Sequence, residues 1–127
     1  MSNVEAKLTT YLERSKFADP DAWHRRGLNP SSPDVMARME VVVNDVCSSA
    51  LKAFREGQSQ RKMKAALFGA LRRYRAGDFD TEDREFIASE VNGIAQMVGV
   101  GIGPELNSWL YGPFLGFIVN RIRNQSD

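Results

Sequence analysis

The sequence predicts an all-α fold, a single-domain bundle of five to six helices around a buried C-terminal helix. Three observations predict it. Apolar residues recur at helical spacing through most of the chain. Capping serines and aspartates, prolines at first helical positions and stop glycines mark where helices begin and end. Only one stretch, Phe114 to Val119, reads as a strand, and it has no partner strand elsewhere.

In the first element, Asn3 to about Lys16, Val4, Leu8, Tyr11 and Leu12 fall on one side and Glu5, Lys7, Glu13 and Arg14 away from it. This is an amphipathic helix that covers a core rather than forming its centre. Periodicity then lapses from Phe17 to Ser32, where Pro20, Gly27 and Pro30 mark a long loop, followed by Pro33. Loops of this length are often functional or carry a helical turn. Asp19 followed by Pro20 suits such a turn, with Trp23 as the anchor to the body.

Ser32-Pro33-Asp34 is a helix start with a cap, a proline and an acid at the positive end of the dipole. The helix runs to Glu56 and stops at Gly57. Its apolar residues, from Val35 and Met39 through Val42, Val43, Val46 and Cys47 to Phe54, cover about half the circumference, which calls for more than one packing neighbour. Ser59 caps a third helix, Gln60 to Ala76, whose apolar stripe is Met63, Ala66, Leu67, Ala70, Leu71 and Tyr74. Asp80 or Thr81 begins a fourth, with acids in its first turns and Phe86, Ile87, Val91, Ile94, Met97 and Val98 buried. It fails near Gly99. Pro104 opens a fifth helix, and Gly112-Pro113 divides it from a last one ending near Arg123. Trp109 to Val119 carries no charge, so that segment is expected to be covered.

The chain has 127 residues, seventeen basic and sixteen acidic, for a net charge of +1. Charge-driven binding must therefore come from a local patch. One cysteine, Cys47, excludes an internal disulfide framework and a cysteine zinc site. The N-terminus lacks the basic start and apolar core of a signal peptide, and no run approaches the ~20 apolar residues of a membrane span. A cytoplasmic protein without membrane association is the expectation.

The third helix carries the most informative surface. Phe68 stands off its apolar stripe, among Arg61, Lys64, Arg72 and Arg75, four or seven residues away and so on the same face. Basic residues dominate from Lys52 to Arg75, and acids from Asp78 to Glu90. The heavier weight falls on internal pairing: Asp78, Asp80, Glu82, Asp83, Glu85 and Glu90 neutralise the basic face, and Phe68 fills a gap between helices. The functional reading of the same face is a surface for a protein partner. Nucleic acid, by phosphate contacts and stacking, is the least favoured occupant.

Gly99-x-Gly101-x-Gly103 has neither the spacing nor the strand context of a phosphate-binding loop and reads as a helix terminus with a tight turn. His24 has no second histidine, and neither it nor Cys47 sits in a catalytic or metal-binding arrangement. No cofactor and no metal are expected. Glu90 lies close to an apolar face, where a carboxyl has a raised pKa. With Glu105, Trp109 and Tyr111 it makes a candidate ligand pocket around residues 90–112, the basis for an alternative reading as a small enzyme or ligand-binding protein. The leading reading is a non-enzymatic protein-interaction module. Self-association through leftover apolar surface on the fifth helix would make a homodimer.

Overall fold

The computed structural model describes residues 2–112, which form an all-α fold of six helices with no strand among them. The helix expected from Pro113 to Arg123 lies outside the described residues, and with it the expectation that the bundle is built around that helix. Within the described residues the organising element is α3 (Pro33–Arg55). At 23 residues it is about 35 Å long. Its cap and proline act as the sequence predicts, with Ser32 Oγ accepting from Val35 N at 3.3 Å.

The wide apolar arc of α3 meets three neighbours: α1 (Asn3–Glu13), α4 (Gln60–Leu71) and α5 (Thr81–Met97). The completely buried Met39, Val42, Val43, Val46, Cys47 and Ala50 face them. Helix α5 in turn packs on α6 (Gly103–Tyr111) and on α1. Ser2, Ser59 and Asp80 cap α1, α4 and α5 by accepting from the third residue on, at 3.1, 3.2 and 2.9 Å. Gly57 and Gly99, after α3 and α5, have φ of 66° and 75°, a conformation costly for any side-chain-bearing residue.

The long connection from α1 to α3 contains the short helix α2 (Pro20–His24), capped by Asp19 at 3.0 Å from Asp21 N. Trp23 is its anchor. The ring is buried, its Nε1 donates to Phe17 O at 2.8 Å, and Phe17 and Trp23 each set an edge against Phe86 at 4.9 Å. An indole with its N–H satisfied and two edge-to-face contacts is a strong tether for an otherwise irregular segment.

Two helices end earlier than their periodicity predicts, each for a visible reason. Helix α1 stops at Glu13 instead of reaching Lys16, because the amides of Lys16 and Phe17 donate to Glu40 Oε1 at 2.5 and 3.0 Å. Helix α4 stops at Leu71 instead of Ala76. Beyond it Tyr74 O accepts from Trp109 Nε1 at 2.8 Å, and the Tyr74 hydroxyl bonds Asp45 of α3. Tertiary partners displace the next helical turn at both places, and a 3-10 turn, Ala76–Asp78, leads on to α5.

Candidate functional site

Helix α4 buries a narrow stripe, Met63, Leu67, Ala70 and Leu71, against α3. The rest of its circumference is open, and most of its charged residues are basic. Arg61 and Arg72 are exposed and form no ion pair among the described residues. Arg75 is 3.7 Å from Asp78 in an exposed i, i+3 pair, a geometry worth little. Lys64 is engaged differently, with its Nζ 2.7 Å from Glu105 Oε1 in the first turn of α6.

Among the described residues the expected neutralisation of this face by the acids from Asp78 to Glu90 is confined to the exposed Arg75–Asp78 pair. Helices α4 and α5 both pack along α3 rather than against each other. The acids have other duties. Asp80 caps α5, and Glu85 accepts from the Tyr111 hydroxyl at 3.4 Å. Asp83 is buried and accepts from Ser31 Oγ at 2.6 Å. Burial raises the Asp83 pKa, and the Ser31 hydrogen bond opposes that rise.

Phe68 is half-buried, and the Arg72 guanidinium lies over its ring at 4.7 Å. Both open onto a groove of about 440 Å³ shared with Pro104, Glu105, Ser108 and Trp109. Two sets of candidate residues from separate parts of the sequence thus meet in one place: Phe68 and Arg72 from the end of α4, and Glu105 and Trp109 from α6. Trp109 is fixed by its bond to Tyr74. Glu105 Oε2 is buried without a hydrogen-bond partner, unlike Oε1.

The structure divides the pocket expected around residues 90–112. Only Glu105 and Trp109 share the groove. Tyr111 lies on the other side of α6, lining a separate groove with Glu85, Ser89, Asn92 and Asn107. Glu90 faces α1, where Tyr11 Oη donates to it at 3.4 Å. Helical geometry explains the division: α6 presents Glu105 and Trp109, four residues apart, on one face and Tyr111 on another. Burial raises the Glu90 pKa, with Arg14 and the Tyr11 hydrogen bond pulling the other way.

Next to Glu90 is a polar network that the sequence does not announce. Lys16 Nζ is fully buried, donates to Asn44 Oδ1 at 2.5 Å and lies 3.6 Å from Glu40 Oε2 and 4.5 Å above the Tyr11 ring. Burial lowers the Lys16 pKa, and Glu40 partly restores it. Every member is tied to a neighbour in α1 or α3, so the network fixes the end of α1 rather than opening toward a ligand. Cys47 is buried beside Leu8, and burial pushes its thiol up to about 11. A thiol so protonated is a poor nucleophile. Among the described residues no three His, Cys, Asp or Glu side chains cluster as metal ligands, and no helix is long and apolar enough to cross a membrane.

The described residues therefore define a small helical protein whose open features are surface grooves. The chain belongs to the family described as Domain of unknown function (DUF4844), which it matches over residues 1–114. No curated protein and no solved structure matches it.

Proposed function

We propose that this chain is a non-enzymatic binding module that engages an acidic protein through the face of α4 bearing Arg61, Lys64 and Phe68, together with Arg72 at its C-cap and Arg75, which lies past the end of the helix rather than on the face its spacing predicts. The observation that carries the reading is the state of Arg61 and Arg72, exposed and without an ion pair among the described residues, around a half-buried phenylalanine. An aromatic–arginine pair at the mouth of a groove is the residue chemistry of interface anchors, where buried rings and guanidinium groups carry most of the affinity. The exposed charges add steering and selectivity. Paired affinity capture with the full chain and a Phe68→Ala/Arg72→Glu variant tests this. A specific protein retained by the wild type and lost with the variant, both melting at the same temperature, is the expected result. Identical capture profiles would refute it, and retention of nucleic acid that falls steeply with salt would redirect it to phosphate binding.

One observation favours a second reading. Glu105, whose Oε2 is buried without a partner, lines the groove with Phe68 and Trp109. A small ligand with an N–H donor on a flat ring would satisfy that oxygen once the Glu105 side chain turns it toward the groove, and would stack on the aromatic walls. Following the Trp109 indole N–H resonance while titrating aromatic amines into wild type and Glu105→Gln decides it. An indole shift that the variant abolishes supports the ligand, and an unmoved resonance removes it.

A further inference from the structure

The opposite flank of α4 borders a second groove, of about 520 Å³, between α4 and the last turns of α3. Its floor is made of small side chains: Ala53 from α3, and Ala65, Ala66, Gly69 and Ala70 from α4. Its rim is basic. Lys52 stands on the α3 side, and Lys62 and Arg73 on the α4 side. All three are exposed, and none forms an ion pair among the described residues. The lone carboxylate, Glu56, accepts from Gln58 Nε2 at 3.1 Å. Three cations against one acid make this groove more positive than the molecule as a whole, which carries only +1.

Gly69 lies on the wall of this groove and, like Gly93 inside α5, has open space where a Cβ would stand. A glycine inside a helix weakens it relative to alanine. Here no packing within the described fold requires one, because a Cβ at Gly69 would meet nothing within 4 Å. Its φ is not in the left-handed region either. What the missing side chain provides is access, letting an outside element approach the α4 backbone closely beside Ala65 and Ala66.

We propose that the groove between α3 and α4 docks an acidic amphipathic helix of a partner protein, its narrow apolar stripe on Ala65, Ala66 and Gly69 and its carboxylates facing Lys52, Lys62 and Arg73. A helix is the element that fits. The trough is formed by two consecutive helices joined by a short turn, and a third helix laid along it completes a three-helix arrangement by ridge-into-groove packing. Lys62 stands in the first turn of α4 and Arg73 just past its last, at the two ends of a helix about 18 Å long, so they would meet carboxylates at both ends of a short docked helix. Charge complementarity selects acids over bases at the rim. None of the lining side chains is aromatic, which argues against single-stranded nucleic acid, whose bases need rings to stack on. The inference rests on the binding-module reading for its partner class, but not on the Phe68 groove.

The test uses the full chain, labelled with nitrogen-15, and a synthetic helical peptide of about eighteen residues, roughly five turns. The peptide carries an Ala/Leu stripe flanked by glutamates, and a second peptide replaces each glutamate with glutamine. The glutamate peptide is expected to shift amides of residues 49–56 and 62–73 and to bind at least about tenfold tighter than the glutamine form. Lys62→Glu/Arg73→Glu should weaken it by a similar factor. Gly69→Leu, whose Cβ would meet nothing within 4 Å and whose side chain would extend into the open groove, should abolish binding without lowering the melting temperature. Phe68→Ala/Arg72→Glu should leave binding unchanged, so loss of the Phe68 reading and loss of this one are separately visible. Equal binding of both peptides, no shift at millimolar peptide, or full binding by Gly69→Leu would overturn the proposal.

Discussion

Glu40→Ala should be among the most damaging single changes to the fold, although its side chain is 23% exposed. Its Oε1 accepts from the Lys16 and Phe17 amides, and its Oε2 faces an ammonium group that is wholly buried. A hydrogen bond to a charged acceptor contributes about 1.5–3 kcal/mol, and a buried donor left alone costs about 1–3 kcal/mol. Two amides at the low end of that range give about 3 kcal/mol. The loss at Lys16 adds less, because Asn44 Oδ1 and Leu12 O, at 2.5 and 3.5 Å, still hold the ammonium. With a urea slope of about 1.5 kcal/mol per molar, the unfolding midpoint falls by about 2 M. Glu40→Gln keeps a neutral acceptor for the amides and should lose about half as much. Lys16→Met removes the buried ammonium and leaves Glu40 partly exposed and still accepting from two amides, so the carboxylate is not stranded as in most broken buried pairs. It should therefore cost less than Glu40→Ala, and the double variant less than the sum of the two. Urea denaturation followed by far-ultraviolet circular dichroism measures all four. A Glu40→Ala midpoint within about 0.5 M of wild type, or a Lys16→Met variant less stable than Glu40→Ala, would show that the network does not hold the end of α1.

Three further expectations concern the core and its helices. Cys47, with its thiol pushed to about 11 from the ordinary 9.0, should react with a disulfide reagent at about pH 8 only as fast as the protein unfolds, and a rapid native-state reaction would contradict its burial. The folded state binds this proton more tightly than the unfolded chain, so the thiol's contribution to stability is present at neutral pH and is lost as pH rises from 9.0 to about 11. Burial likewise raises the Glu90 pKa, so its ionised form is penalised above the folded pKa and stability falls as pH rises through the window. Glu90→Gln should therefore be more stable than wild type at about pH 7, with the difference shrinking toward about pH 4, and an unchanged difference across that range would refute the assignment. A Cβ added to Gly93, inside α5, would meet nothing within 4 Å, and Gly93→Ala should raise stability by about 0.5–1 kcal/mol in a thermal melt.

Much of this fold is legible in the sequence because its signals are local. Ser32-Pro33, Ser59, Asp80 and Pro104 mark helix starts within a residue or two, since a cap uses side chains adjacent to the amides it satisfies. Trp23 is legible as an anchor because a large ring between prolines has few other uses. The helix ends that run long, at Lys16 and Ala76, are those fixed by distant partners: Glu40 lies 24 positions from Lys16, and Trp109 lies 35 from Tyr74. No periodicity carries that information. The candidate site divides in the same way. The same-face relation of Phe68 to Arg72 is a property of one helix and can be read directly. Its meeting with Glu105 and Trp109 depends on how α6 is laid down. The basic groove on the other flank had a faint signal, a glycine inside a helix close to Ala65, Ala66 and Ala70, and the eleven-residue spacing of Lys62 and Arg73.

The placement of open surface follows from how many neighbours each helix has. Helix α3 shares its circumference among α1, α4 and α5, and α5 shares its own among α3, α6 and α1. Neither has much left to offer a partner. Helix α4 leans chiefly on α3 and meets α6 through side chains such as Lys64 and Glu105. A helix with one main neighbour buries a narrow stripe, and the remaining arc must face water or another molecule. Solvation alone would be satisfied by any mixture of charged and polar residues. Here the arc is basic from Arg61 to Arg73, interrupted only by small side chains and Phe68, with no acid on the helix itself to form the i, i+4 pairs that solvated helices commonly carry. Like charges left without such pairs repel along the helix, at a cost to its own stability. An external acid that offsets this repulsion gains more on α4 than on any other helix described, which is why both candidate docking faces lie on its opposite flanks.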